Sequence, residues 1–438
     1  MNHLLTSLLT GVAIALTQPA IAAEVVSKDI AARIEAIPSG QQAYALALQT
    51  EIERVMKANV IPGAIVLIKS RDKGDWQGTF GTGEIGKTAP LAMADSVRIG
   101  SNTKTMTATV IMQLVQEGKL KLNDPISKFR PDVPNGQNIT IEQLATMRSG
   151  LYSYTFDLGF NETLDKDPQK AWTPDELLKI AFAHPSNSPP GTKFDYCNTN
   201  LVLLGLVIEQ LTGMSARDAF QKRIFEPLKL THTQLPAAKD SSIPTPHPQG
   251  YQFLSNVATI NSYAVPPAQL SAALNGTLQP LNQTNANPSW AWTAGGGIST
   301  ADDLAVYVKA LVGGGLLNPA TQKIRLDSIV PINPDNPILG GYGIGIARFG
   351  PWLIGHDGQI PGYSTVMVYD PKADNTVIIL TNLAAVPATG EGSALVILKV
   401  IIPALYGSAA GIPGGDPAAV PGTPPDSSTG MTGTTKVK

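Results

Sequence analysis

Along this chain the spacing of apolar residues changes character twice, and that change limits the architectures open to it. Around residues 64–81 and again around 342–381 the apolar residues fall in short runs rich in β-branched side chains, such as Ala64-Ile65-Val66-Leu67-Ile68. Gly, Pro, Asp and Asn bound these runs, and the pattern is that of strands. It predicts strands over 64–70 and 76–81, then over 342–349, 351–356, 364–369 and 376–381, with turns at Gly350-Pro351 and at 370–375. Between the two groups, helix start signals recur. Thr140-x-x-Gln143, Thr173-Pro174-Asp175-Glu176 and Ser299-x-x-Asp302 read as capping boxes, the second with proline at the first helical position. Residues 201–211 are apolar nearly all round, which predicts a buried helix. Further helices are expected over 30–58 and 393–405, and the Pro-, Asn-, Ser- and Gln-rich stretch 236–289 reads as long loops over a site. The fold class is therefore α+β: a mostly antiparallel sheet drawn from the N- and C-terminal parts, flanked by helices, with an inserted, mainly helical domain. The parts run 24–100, 101–335 and 336–406.

Within this frame one stretch carries chemistry. Ser101-Asn102-Thr103-Lys104 opens the segment 105–118, whose Met106, Val110, Ile111, Leu114 and Val115 recur at the spacing of one buried helical face. Residues three apart share the side of a helical turn, so the Ser101 hydroxyl and the Lys104 ammonium lie together. Serine needs a partner that takes its proton, and a lysine serves once burial depresses its pKa. A second Ser-x-x-Lys, Ser70-Arg71-Asp72-Lys73, closes a strand run and meets Gly74-Asp75, which signals a turn. Likewise Gly81-x-Gly83-x-x-Gly86 matches a dinucleotide fingerprint, but Lys87-Thr88-Ala89-Pro90 supplies no following helix, so it reads as a loop.

Composition narrows the field. Charged residues are 15% of the 438, below the roughly 25% usual for soluble chains, and the formal net charge is −2 with no basic patch for nucleic acid. The five histidines show no His-x-His or His-Glu-x-x-His spacing, which argues against a zinc hydrolase and leaves no metal or organic cofactor implied. The single cysteine, Cys197, excludes an internal disulfide and reads as a small packed residue. Residues 1–23 combine the apolar run 4–16 with Pro19-Ala20-Ile21-Ala22-Ala23, the pattern of a secretory signal peptide cleaved after Ala22 or Ala23 and too short for a membrane span. An exported protein, periplasmic or secreted, is expected. Residues 407–438, rich in Gly, Pro, Ala, Ser and Thr, read as a disordered tail.

Three stretches then occur in one order: Ser101-Asn102-Thr103-Lys104, Tyr196-Cys197-Asn198 and His356-Asp357-Gly358. Together they resemble the motifs of the serine penicillin-recognising enzymes, in the branch holding serine D,D-carboxypeptidases, class C β-lactamases, and related esterases and D-aminopeptidases. The framing segments at 195–200, 294–300 and 355–358 extend the likeness over residues 45–405. The resemblance implies a β-lactamase/transpeptidase-like fold and a serine hydrolase acting through an acyl-enzyme, most like a D-alanyl-D-alanine carboxypeptidase. Ser101 would be the nucleophile, Lys104 and Tyr196 the acid/base groups, and His356, on a strand edge facing Ser101, would polarise the site and place the leaving group. Asn198 would bind Lys104 and the acyl-side amide, Gly358 would let substrate approach the strand, and the Gln359 and Ser101 amides would form the oxyanion hole.

Asp357 departs from the pattern, standing where the carboxypeptidases usually carry threonine. An ionised carboxylate cannot donate a hydrogen bond and repels a substrate carboxylate. Asp357 is therefore expected either to point away from the crevice or to select a neutral or cationic substrate end. β-Lactamase, esterase and D-aminopeptidase activities stand as alternatives, and a non-turnover penicillin-binding receptor is the alternative from another class. Expected partners are small peptide, ester or β-lactam substrates, with no nucleic acid and no integral membrane span. Oligomeric state is not readable from these residues.

Overall fold

The computed structural model describes residues 39–332 and 340–407. The signal-peptide and tail expectations, and residues 30–38 of the first predicted helix, fall outside them. The chain divides into a unit Met1–Leu48 and a unit Gln49–Lys438. Of the first, the structure describes only the opening of helix α1, Ser39–Ala58.

The larger unit is built on an eight-stranded sheet. Its strands are β1 (Gly63–Ser70), β2 (Trp76–Gly81), β3 (Val330–Pro331), β4 (Gly341–Tyr342), β5 (Ala347–Phe349), β6 (Leu353–Ile360), β7 (Tyr363–Asp370) and β8 (Asn375–Thr381). They lie in the order β2-β1-β8-β7-β6-β5-β4-β3, each neighbouring pair antiparallel. The N-terminal hairpin thus joins the C-terminal strands through β1 and β8, with Ala64 opposite Thr381 and Ser70 opposite Asn375.

Every residue of β7 and β8 is buried. A strand buried at both alternations needs cover on both faces, and helices α5 (Ala301–Gly313) and α6 (Ser393–Tyr406) pack against these two strands. Between β2 and β3 runs the mainly helical insertion. It includes α2 (Thr103–Gln116), α3 (Leu158–Lys166) and α4 (Asn198–Thr212). Among the described residues no single helix is long and apolar enough to cross a membrane.

The structure shifts several boundaries. The predicted strand 342–349 is two strands, because the chain turns at 343–346, where Gly343 N–H bonds Ile346 C=O. The next strand begins at Leu353 and runs on to Ile360, so the His356-Asp357-Gly358 motif lies inside β6. The capping serine of α5 is displaced by one: Ser299 is in a short strand with its hydroxyl against Thr233, and Thr300 accepts the Asp303 N–H. The capping boxes of Thr140 and Thr173 form as read, each with reciprocal side-chain and backbone bonds. Helix α2 is buried on every side from Thr103 to Met112, not along one face. Its polar positions are tolerable because each threonine hydroxyl has a carbonyl acceptor: Thr103 on Gly100, Thr105 on Asn102, Thr107 on Thr293 and Thr109 on Thr105.

Candidate active site

The site forms where α2 starts beside β6. A 3₁₀ turn, Gly100–Asn102, precedes α2, and Gly100 holds the left-handed conformation at φ +52° that opens the turn. The turn is tied to the sheet by Asn102, whose buried amide donates to Thr365 Oγ1 on β7 at 2.7 Å and to Ile99 O at 3.1 Å. Thr365 Oγ1 in turn donates to Ile99 O at 2.9 Å. Ser101 is left half-buried at the mouth of a cavity that it lines together with Tyr196, Asn198, Asp357 and Gln359.

Lys104, one turn on from Ser101 and the second residue of α2, is fully buried. Its Nζ lies 2.9 Å from Ser101 Oγ, 2.7 Å from Asn198 Oδ1 and 2.6 Å from the Ala294 carbonyl oxygen. Burial pushes its pKa down from 10.5 to about 7, against the pull of the Asp357 carboxylate, which favours the ammonium. The three neighbours sort themselves by chemistry. Asn198 Oδ1 and Ala294 O are pure acceptors, so each takes an N–H from a neutral amine, and the nitrogen's lone pair is left for the Ser101 hydroxyl. The arrangement is that of a nucleophile hydrogen-bonded to a base whose orientation two carbonyls fix.

Tyr196 and Asn198 arrive from the start of α4. The Lys104 Nζ sits 4.8 Å from the centre of the Tyr196 ring, and Tyr196 is 8% exposed, facing the cavity. Asn198 is the first residue of α4. Its backbone N–H donates to Ser153 Oγ at 3.1 Å and its Nδ2 reaches Thr155 Oγ1 at 3.3 Å. Cys197 between them is buried, its Sγ against Leu151 O, and burial pushes the thiol up to about 11. It is a packed, neutral residue.

His356 is fully buried behind Tyr196, with ring centres 6.4 Å apart, and does not line the cavity. Its strand segment faces the Gly100–Asn102 turn, because β5 pairs with β6 only through Leu353–Gly355. The imidazole Nδ1 lies 2.6 Å from Asp357 O and Nε2 lies 3.1 Å from Tyr342 Oη. A carbonyl only accepts, so Nδ1 carries the hydrogen, and in the neutral ring Nε2 accepts from the phenol. Burial holds the Tyr342 phenol well above its ordinary pKa, so it stays a donor.

Asp357 faces the cavity, which removes the expectation that it points away. Gly358 corrects another: it does not line the cavity, and a Cβ there would stand 2.0 Å from Ile99 O and 2.5 Å from Thr365 Oγ1. The close approach it permits is therefore of the chain's own Ile99 carbonyl, not of substrate. Gln359 lines the cavity, and its backbone runs against Gly100, where a Cβ would meet Gln359 N at 2.8 Å.

Three participants escape a reading of the sequence. Ala294 belongs to the Ala294-Gly295-Gly296-Gly297 segment that frames the motifs, but nothing in its side chain marks its carbonyl as a lysine acceptor. Tyr342 reads only as a strand residue, and Thr155 carries no signal at all.

This geometry has counterparts. A family model described as Beta-lactamase matches residues 48–400. The chain belongs to the Beta-lactamase family. That family lies in the superfamily of serine hydrolases and penicillin-binding proteins, and the fold is the β-lactamase/transpeptidase-like one. A D-stereospecific amidohydrolase from Streptomyces sp. superposes with a TM-score of 0.68 at 30% identity, over 83% of this chain and 99% of that one. The D-amino acid amidase of Ochrobactrum anthropi gives 0.66 at 24% identity, over 82% and 99%, and so shows the shared fold. Protein flp of Staphylococcus aureus is 26% identical over 77% of this chain; the match spans 62% of that relative's length.

Proposed function

We propose that this protein hydrolyses small amide or ester substrates through an acyl-enzyme on Ser101, and that the substrate end facing Asp357 is neutral or cationic. The observation that carries this is the contact of Lys104 Nζ with Ser101 Oγ at 2.9 Å while two carbonyls hold its remaining hydrogens. In this reading Lys104 takes the Ser101 proton as the hydroxyl oxygen attacks the substrate carbonyl. The backbone amides of Ser101 and Gln359 stabilise the oxyanion. Tyr196 gives its phenol proton to the leaving group and takes back the one held by Lys104; water then attacks the acyl carbonyl, losing a proton to Lys104, which returns it to the departing Ser101 oxygen. His356 acts through the backbone and ring contacts that fix β6 and Tyr196.

Asp357 sets the direction of specificity. It is the one carboxylate among the residues lining the cavity, and no Lys, Arg or His is among them. A substrate ending in a free carboxylate meets a like charge there, whereas an amide, an ester or an amine does not. The 30% identity to a D-stereospecific amidohydrolase supports the amide direction over a D,D-carboxypeptidase one.

The test compares hydrolysis of a D-Ala-D-Ala peptide with that of its C-terminal amide and ester. The amide and ester are expected to be hydrolysed at least roughly tenfold faster in kcat/KM, the scale of a single unfavourable contact at a site. Preference for the free acid would return the assignment to a carboxypeptidase. An ester burst stopping at one equivalent would make the protein a binding receptor.

A further inference from the structure

Behind the cavity, Tyr342 on β4 meets His356 on β6, and both side chains are fully buried. The hydrogen-bond partner of Tyr342 Oη is His356 Nε2 at 3.1 Å. The other imidazole nitrogen, Nδ1, faces two acceptors, the Asp357 carbonyl oxygen at 2.6 Å and the Asp357 carboxylate at 3.5 Å. Three hydrogen placements are open to the ring, and the neighbours separate them. With the hydrogen on Nδ1 alone, Nδ1 donates to Asp357 and Nε2 accepts from the phenol, so both contacts are satisfied. With it on Nε2 alone, the Nδ1 lone pair confronts two oxygens and the phenol hydrogen loses its acceptor. With hydrogens on both nitrogens, the phenol hydrogen is again orphaned, at the cost of a buried unpaired donor. Burial, reinforced by the Asp357 carboxylate, keeps the Tyr342 phenol protonated, so it brings a hydrogen in every case.

The phenol is held where this selection needs it. Its ring stands at 90° to the imidazole and at 86° to the Tyr196 ring, with centres 5.6 Å and 6.2 Å apart, and half-buried Phe194 packs on it at 5.4 Å. The chain just beyond is tied down, with Ile344 N–H on Ser328 Oγ and Gly345 N–H on Ala145 O, both at 2.9 Å. What the imidazole holds in turn matters to the site. The Asp357 carbonyl belongs to the peptide plane that leads into Gly358, and the next residue is Gln359. Turning that plane moves the Gln359 N–H, one of the two oxyanion donors of the proposed reaction.

From this geometry we infer that Tyr342 is a positioning residue: its hydroxyl holds the His356 imidazole as the Nδ1–H tautomer, so that the imidazole holds the Asp357 carbonyl and, through it, the Gln359 amide. The kinetic consequence rests on the acyl-enzyme reading above, whereas the tautomer is a property of the folded chain alone. A second nitrogen fixed by its own partner is the general way in which an imidazole is kept in one tautomer.

Nuclear magnetic resonance of the full chain with isotopically labelled histidine reads which ring nitrogen is bonded to hydrogen. His356→Asn picks the His356 signals out of those of the five histidines. At neutral pH the unsubstituted protein is expected to carry the His356 hydrogen on Nδ1 alone. Tyr342→Phe keeps the ring and removes the donor. Hydrogen is then expected to appear on Nε2, and kcat on an ester to fall at least roughly tenfold with KM changed less than about twofold, the pattern of a displaced oxyanion donor. An asparagine reaches no farther than the Nδ1 position, so in the His356→Asn background Tyr342→Phe should cost less than about twofold more. Hydrogen on Nε2 of His356 in the unsubstituted protein, an unchanged kcat in Tyr342→Phe, or losses that multiply in the double variant would overturn the inference. A spectrum in which no histidine carries its hydrogen on Nδ1 alone would do so even if neither variant folds. Turnover that survives Ser101→Ala would defeat the acyl-enzyme reading alone; the tautomer and the coupling of the two variants would still decide for or against Tyr342.

Discussion

A lysine with no exposed surface and no directly bonded carboxylate is costly to keep charged, and at Lys104 that cost becomes a working property. Burial lowers the pKa to about 7, while the Asp357 carboxylate raises it from what burial alone would give. If the neutral amine is the base, kcat/KM climbs about tenfold per pH unit below the pKa and levels above it. The limb is therefore expected near pH 7 in the unsubstituted enzyme. Asp357→Asn removes the group that favours the ammonium, so the limb should move to lower pH, with the plateau reached earlier. A limb that moves upward, or stays fixed while Lys104→Arg still turns over, would show that Lys104 is not the base. The same depressed pKa ties stability to pH. Between about 7 and 10.5 the unfolded chain holds a proton that the folded one does not, so this group's contribution to stability rises with pH across that window.

At the scale of elements the site depends on how close β6 and the Gly100–Asn102 turn come. The absent Cβ of Gly358 sets that distance, since a methyl there would fall 2.0 Å from Ile99 O. Gly358→Ala should cost about 1–3 kcal/mol in stability, the usual range for overpacking. Its effect on kcat/KM should be larger, roughly 100-fold, because a shift of about 1 Å between nucleophile and oxyanion donors is that damaging. Denaturant melts beside kinetics on one ester would read both, and a loss of stability with activity intact would refute the claim. This element also shows what a sequence can and cannot disclose. Ser101 and Lys104 are legible because a hydroxyl and an amine three apart at a helix start announce chemistry, whereas Tyr196 and Asn198 stand out only through the ordered motifs that resemble a known family's. The extension of β6 to Ile360 is not legible, because Asp357 and Gly358 look like a turn until pairing with Thr365 and Val366 is known. The shift of the α5 cap from Ser299 to Thr300 has the same origin. Both residues stand three before an aspartate, and only the short strand Ile298–Ser299, paired with Val97–Arg98, decides between them. Local pattern named the element types; long-range pairing set their ends.

Across the whole molecule, the polar and apolar halves of the cavity come from parts of the chain that meet only on folding. The nucleophile stands just before α2 and the strand beside it belongs to the sheet, while the roof is made by α3 and by the short helix Asn256–Thr259, within the stretch 236–289 that reads as loops. One exposed side chain, Asp165 near the end of α3, joins the two roof pieces. Its Oδ1 accepts from Asn256 N at 2.7 Å and from Asn256 Nδ2 at 2.8 Å, and its Oδ2 from Val257 N at 3.0 Å. A carboxylate receiving the first N–H groups of a four-residue helix fixes where that helix sits, and with it Thr259, Ile260 and Tyr263 on the cavity wall. Asp165→Ala removes all three acceptor contacts at a point distant from Ser101 in the chain. The expected loss of stability is about 1 kcal/mol, since the orphaned donors are near water and can be solvated. The site should feel it more than the fold does. A loosened roof no longer presents a preformed wall, so KM for bulky substrates is expected to rise several-fold, with little change in the acylation of Ser101 by a small ester. Steady-state kinetics on phenylalanine and alanine esters, compared between Asp165→Ala and Asp165→Asn, would decide it. Asparagine keeps one acceptor oxygen and should recover part of the KM; equal behaviour of the two variants on both substrates would mean the clasp does not shape the cavity.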